Sequence, residues 1–183
     1  MKLLLLRHPE TVANIKGIFN GWKDYPLTEK GKLQMKNIVK ELEKIPVDRV
    51  FTSPLPRAYN LAKIIAEQKK IKVRVYEELK EINFGKFEGK TFQEIEKEFP
   101  DECKQWLDNY KTFKFPEGES FEDFNERISY FLKSIEKGAN KTYLIVTHLG
   151  VIRVILTKIY NWDIDKMWEI QCENGKYIEV NIK

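Results

Sequence analysis

A chain of 183 residues, 42% hydrophobic and 33% charged, has room for one α/β core and is too evenly mixed for a disordered or fibrous protein. Its net charge of +4 is spread over lysines interleaved with nearly as many acids, which favours a solvated Lys/Glu exterior over a nucleic-acid surface. No apolar run nears the roughly 20 residues of a membrane span, and the opening leucines are too few for a signal peptide.

Leu3 to Leu6 are too apolar for a half-exposed strand and read as a short strand buried on both faces, ending abruptly at Arg7, His8 and Pro9. Phe19 to Leu27 has the Gly, Asn, Asp and Pro content of a loop. Thr28 then caps a helix whose apolar face uses Leu33, Ile38, Val39 and Leu42. Val47 to Thr52 is a second strand. Ser53 is predicted to cap the next helix, with Pro54 at its first position and Arg57 in its first turn; Leu61, Ile64 and Ile65 supply the buried stripe. Val73 to Tyr76 is a third strand, and the acids that follow, Glu77, Glu78 and Glu81, precede the breaks at Gly85 and Gly89.

Residues 84–119 read as a small helical insertion capping the sheet edge: Thr91 to Phe99 and Glu102 to Tyr110 are helices separated by Pro100, with Trp106, Tyr110, Phe113 and Phe115 clustered nearby. Ser120 and Asp123 form a capping box for a helix bearing Phe124, Ile128, Phe131, Leu132 and Ile135 and ending near Gly138. Thr142 to Thr147 repeats the opening pattern, a buried strand ending in His148, and Tyr177 to Ile182 alternates like an edge strand. Cys103 and Cys172 are far apart without metal-ligand spacing, as expected of a reduced, cytoplasmic protein. The expectation is a single α/β domain over 1–183, three-layered α/β/α around a mostly parallel sheet.

Both histidines of the chain, and two of its six arginines, fall at the predicted carboxyl edge of that sheet, where open α/β folds bind ligands. Zinc-type His/Cys spacing, a G-x-S-x-G elbow, a Walker A loop and a dinucleotide glycine fingerprint are all absent from the sequence. What remains is an anion pocket. Arginine forks match phosphate oxygens, and a histidine nitrogen inside such a pocket can attack phosphorus.

Five blocks in order carry a resemblance. They are Arg7-His8-Pro9-Glu10-Thr11 with Asn14; Gly21-Trp22 through Asp24, Pro26-Leu27-Thr28 and Gly31; Ser53-Pro54-Leu55 with Arg57-Ala58; Leu79, Glu81, Phe84-Gly85 and Glu88-Gly89; and Thr147-His148 with Gly150-Val151-Ile152-Arg153. Together they resemble the histidine phosphatase superfamily, also called phosphoglycerate-mutase-like proteins, over nearly the whole chain. The resemblance implies that His8 is the nucleophile and that Arg7, Arg57 and His148 bind the phosphoryl oxygens with help from Asn14. It implies further that Glu81 protonates the leaving oxygen and then activates water, with Glu78 as the second choice. Gly21 and Leu149 would complete the substrate-binding set. Neither metal nor cofactor is implied, and the partner is a small phosphomonoester rather than nucleic acid or membrane.

Two positions depart from the family pattern. Pro9 stands where glycine is usual and withholds an N–H from the pocket, and Leu149 adds bulk where glycine is common. Within the family, the short length, Glu88-Gly89-Lys90-Thr91 and Pro116-Glu117-Gly118-Glu119-Ser120 are most similar to α-ribazole phosphatases. The rivals are a cofactor-dependent phosphoglycerate mutase, a broad sugar-phosphate phosphatase and, from another class, a phospho-ligand-binding module silenced at Pro9 and Leu149. Monomer and homodimer both stay open.

Overall fold

Leu3, Leu4, Leu5 and Leu6 form the interior of strand β1 (Lys2–Arg7), and all four are fully buried. Side chains alternate across a strand, so Leu3 and Leu5 face one layer while Leu4 and Leu6 face the other. At roughly 1.5–3 kcal/mol for each buried leucine, this quartet contributes several kcal/mol to holding two helical layers on one sheet. A computed structural model of the chain describes residues 1–136 and 138–182.

The other strands are β2 (Arg49–Thr52), β3 (Val73–Val75), β4 (Thr142–Thr147) and β5 (Tyr177–Asn181), and the sheet order is β3-β2-β4-β1-β5. All neighbours are parallel except β5, which closes the β1 edge antiparallel. Helices α2 (Glu29–Leu42) and α3 (Pro56–Lys69) lie on the side of Leu4 and Leu6, through Ile38, Leu42, Leu61 and Ile65. Helices α6 (Phe121–Ser134) and α7 (Leu149–Ile159) cover the side of Leu3 and Leu5, through Phe124, Ile128, Phe131, Val151 and Ile155. The chain therefore leaves β1 toward one layer and leaves β4 toward the other. Between those two neighbouring strands a crevice opens at their carboxyl ends.

Several local expectations change. A short helix α1 (Val12–Lys16), not foreseen, follows β1 and ends at Gly17, whose φ of 62° suits glycine. Leu33 is 58% exposed, because five residues from Ile38 it is rotated away from the buried face; Ile64 likewise sits outside the stripe of Leu61, Ala62, Ile65 and Ala66. The third helix starts later than predicted. Pro56 holds its own predecessor, Leu55, in the extended region, so Leu55 is the N-cap, Pro56 takes the first helical position, and Ser53 caps nothing.

Thr28, by contrast, does cap α2, accepting from the Gly31 N–H at 2.9 Å, and Ser120 with Asp123 forms the expected capping box of α6. Residues 84–119 contain a 3₁₀ turn (Gly85–Phe87), α4 (Phe92–Glu98) and α5 (Pro100–Asp108), the proline opening α5 rather than lying between helices. Phe87, Ile95, Cys103, Phe113 and Phe115 from this stretch continue the buried cluster of the Leu3/Leu5 side, so it has no core of its own. Among the described residues no helix is long and apolar enough to cross a membrane.

Candidate active site

Parallel pairing places Arg7 opposite Thr147, so His8 and His148 leave neighbouring strands at the same level. Both rings are buried, with centroids 5.2 Å apart. His8 Nδ1 lies 2.7 Å from the Pro9 carbonyl oxygen, which can only accept, so the ring proton sits on Nδ1 and Nε2 keeps its lone pair. Burial, and then the Arg57 charge, hold the His8 pKa well below the ordinary histidine value. The ring is thus neutral at physiological pH, as a nucleophile requires. His148 is depressed in the same way, first by burial and then by Arg57. Its Nε2 lies 2.9 Å from Ser53 Oγ, which already accepts from the Leu55 N–H and so can give its own hydrogen to the ring. That arrangement leaves a proton on His148 Nδ1.

Two buried neutral histidines make the fold sensitive to acid. Below about pH 6.5 the unfolded chain takes up protons at both rings while the folded protein does not. Stability therefore falls as pH drops from that point. Between pH 6.5 and 5.5 the two rings together should remove up to about 2 kcal/mol of unfolding free energy, measured by denaturant titration. His8→Gln should roughly halve the part of the loss carried by the rings. An unchanged slope in that variant would mean that His8 is protonated in the folded state after all.

Backbone carbonyls hold both arginines of the edge, Arg7 by one donor and Arg57 by three. Arg7 Nη1 donates to the Cys172 carbonyl at 2.8 Å. Arg57 Nη1 donates to the Lys23 carbonyl and Asp24 Oδ1, and its Nη2 to the carbonyls of Asn20 and Gly21. Among the described residues, Arg7 Nε, Arg57 Nε and His148 Nδ1 are buried without partners. A buried unpaired donor costs about 1–3 kcal/mol, and three of them at one sheet edge mark the place of an acceptor-rich anion. Asn14 Oδ1 accepts from the Thr11 N–H and hydroxyl and from Asn174 Nδ2, which fixes its amide and leaves Nδ2 as the end able to donate into the site.

A cavity of ≈ 420 Å³ opens at this edge. Of the sequence-predicted residues, Arg7, His8, Asn14, Glu81 and Leu149 line it. Arg57 and His148 are buried and are not among its lining residues, and Gly21 contributes its carbonyl to Arg57 instead of a cavity surface. Glu81 Oε1 accepts from the Ile82 N–H and Oε2 from the Gly150 N–H, both at 3.0 Å, so the carboxylate also caps the first turn of α7. A Cβ on Gly150 would come within 2.3 Å of Glu81 Oε1, which explains glycine there. Glu78 lies elsewhere, in a surface groove with Asp123 and Lys133. Phe19, Trp106, Tyr110, Phe115 and Trp168 make the outer wall aromatic, and Leu149 adds the expected bulk.

Sequence reading missed the residues that hold this arrangement. Arg127 on α6 donates to the carbonyls of Glu78, Lys80 and Glu81 at 2.7, 2.7 and 3.0 Å and pairs with Glu119, which sets the path of the Glu81 loop. Asn174 Nδ2 and the Gly175 N–H reach the His8 carbonyl from the far end of the chain. Only the scarcity of arginine pointed toward Arg127, because backbone carbonyl partners leave no mark in a sequence.

Comparison with known proteins gives one consistent picture. Residues 3–183 match the family profile of the histidine phosphatase superfamily (branch 1). The chain is 30% identical to phosphoserine phosphatase 1 of Hydrogenobacter thermophilus, over 100% of its own length and 87% of the relative. It is also 30% identical to the adenosylcobalamin/alpha-ribazole phosphatase of Salmonella typhimurium, over 100% of its length and 91% of the relative. The crystal structure of the alpha-ribazole phosphatase from Shigella flexneri superposes with a TM-score of 0.93 at 27% identity, covering 100% of this chain and 91% of that one.

Proposed function

The chain belongs to the histidine phosphatase superfamily (branch 1) and is a phosphatase, and from that premise we propose how its own residues carry the reaction and which ester they cleave. His8 Nε2 attacks phosphorus and forms a P–N bond as the P–O bond to the alcohol breaks. Glu81 delivers its proton to the departing oxygen, then takes one from the water that attacks the phosphohistidine. The second step breaks the P–N bond, frees His8 and releases inorganic phosphate. Arg7, Arg57, His148 and Asn14 hold the equatorial oxygens and offset the charge that develops on them.

The observation that carries this reading is the neutral His8 ring, its Nδ1 anchored on Pro9, set beside three buried donors without partners. Pro9 and Leu149 remove no charge from the pocket. Their presence is compatible with turnover, and a silent binding module is the weaker reading.

For the ester, the leading candidate is α-ribazole 5′-phosphate. The aromatic outer wall of the cavity suits a heterocyclic base, which can stack on Trp106, Tyr110 or Trp168. Residues 84–119 would act as the cap over that base. Cytoplasmic residence fits two buried cysteines that are both free.

A second reading rests on Arg153. Its Nε donates to the Ile170 carbonyl at 3.0 Å, and its guanidinium lies 5.5 Å from the Trp168 ring centre, on the cavity wall. No partner for its two terminal nitrogens occurs among the described residues. A fixed planar fork in this place favours a leaving group with a carboxylate, such as phosphoserine.

The deciding experiment is phosphate release in the presence of chelator from α-ribazole 5′-phosphate, phosphoserine, 3-phosphoglycerate and p-nitrophenyl phosphate. Chelator-resistant release with the highest kcat/KM on α-ribazole 5′-phosphate, little changed in Arg153→Ala, supports the leading reading. Preference for phosphoserine that drops at least tenfold in Arg153→Ala would select the second. Binding of these compounds without release would overturn both.

A further inference from the structure

One peptide unit of the loop after α1 lies between two buried charges. The N–H of the Gly21–Trp22 peptide donates to Glu88 Oε1 at 2.6 Å, and the carbonyl of the same peptide accepts from Arg57 Nη2 at 2.6 Å. The other carboxylate oxygen takes the Lys23 N–H at 2.7 Å, while the Lys23 carbonyl accepts from Arg57 Nη1 at 3.0 Å. Glu88 is 6% exposed and Arg57 3%, and no direct ion pair joins them. The peptide dipole presents its positive end to the carboxylate and its negative end to the guanidinium, so both charges polarise it in the same sense.

Two further details fit a built device. A Cβ on Gly21 would lie 2.4 Å from Glu88 Oε1 and 2.3 Å from the Ile82 carbonyl oxygen, so only glycine lets the carboxylate reach this peptide. Furthermore, the loop takes up all four terminal N–H bonds of Arg57 through Asn20, Gly21, Lys23 and Asp24, which leaves Nε as its one unpartnered donor. Glu88 accepts from the Phe84 N–H as well, at 3.3 Å, which ties the same carboxylate to the segment that begins the aromatic wall.

We propose that Glu88 is a positioning residue for phosphoryl binding: through the Gly21–Trp22 peptide it is a second, buried counter-charge of Arg57, beside the direct ion pair of Arg57 with Asp24 at 3.3 Å, and it fixes the guanidinium with Nε free for the phosphoryl group. The inference rests on the reading above that Arg57 holds that group. Replacing the carboxylate by an amide removes the charge and turns an N–H donor toward a backbone N–H. The loop carbonyls then lose their register and Arg57 gains freedom it must give up again on binding.

A double-mutant cycle separates this from a merely structural role. The quantities are kcat/KM on p-nitrophenyl phosphate and inhibition by inorganic phosphate, for wild type, Glu88→Gln, Arg57→Ala and the double variant. Glu88→Gln should lower kcat/KM about tenfold or more in the wild-type background, weaken phosphate inhibition in parallel, and change either by less than about twofold once Arg57 is gone. The same fold-loss in both backgrounds would overturn the proposal. An Arg57→Ala enzyme as active as wild type would instead overturn the underlying reading of Arg57. Should Glu88→Gln fail to fold, Glu88→Asp, which keeps the charge but withdraws it by one methylene, enters the same cycle with the same two outcomes.

Discussion

His8→Ala should abolish hydrolysis of every phosphomonoester, lowering kcat by about 10⁴ to 10⁶ as expected when a covalent nucleophile is removed. The size follows from what the ring alone does. Its Nε2 is left unprotonated and without a hydrogen-bond partner among the described residues, since Nδ1 is committed to Pro9 and burial with the Arg57 charge disfavours the imidazolium, whereas the unprotonated Nε2 of His148 is taken up by Ser53. The arginines, His148 and Asn14 would still bind phosphate in the variant, but water cannot replace a nitrogen held in line with phosphorus. The fold should survive, because the backbone N–H of position 8 continues the sheet by donating to Thr147 irrespective of the side chain. Two measurements check this: steady-state phosphate release, and mass spectrometry of the enzyme quenched in base, where wild type should carry phosphate on His8. Residual activity within tenfold of wild type would sink the phosphohistidine route.

Glu81→Gln is expected to have the next largest effect, and its signature is a dependence on the leaving group. For an alkyl phosphate, whose alkoxide must be protonated as it departs, kcat/KM should fall about 10² to 10⁴. For p-nitrophenyl phosphate the phenolate leaves without a proton, so kcat/KM, which reports the first irreversible step, should fall far less. The later attack of water still needs a base, hence kcat should drop for both substrates. A uniform loss in kcat/KM would show instead that Glu81 matters as the cap of α7, through its bond to the Gly150 N–H, more than as an acid. Loss of that cap by itself is worth about 1 kcal/mol of stability.

Much of the fold was legible because burial leaves a compositional trace. Leu3 to Leu6 announce a strand covered on both sides, and a run of apolar residues ending in a histidine does the same for β4. The edge strand β5 was likewise visible in its alternation, though its antiparallel direction was not. Start positions were less legible where two signals compete: Ser53 has the chemistry of a cap, but Pro56 constrains Leu55 and moves the helix two residues on. Ser53 is then free to meet His148. At the site, five of the foreseen residues, Arg7, His8, Asn14, Glu81 and Leu149, line the cavity, whereas Arg57, His148 and Gly21 do not, and Arg153 and Trp168 on its wall had no role assigned. What escaped was the scaffold that orients them. Arg127 and Glu88 work on carbonyls and amides, and every residue has those, so no spacing of side-chain types could reveal which ones they meet.

The closing edge of the sheet has a consequence for how the protein comes into being. β1 is translated well before both of its neighbours, β4 and β5, and the carbonyls of Arg7 and His8 wait for Gly175, with Asn174 also reaching that of His8. Contacts so distant in sequence form late and slowly. While the ribosome works through the intervening residues, the four leucines remain an unpaired, apolar strand that can associate wrongly with other chains. The catalytic edge is therefore a late product of synthesis. Nascent chains released before residue 142 would carry His8 without its sheet neighbours, and a chaperone able to shield a short leucine-rich segment would raise the yield of active enzyme more than its stability.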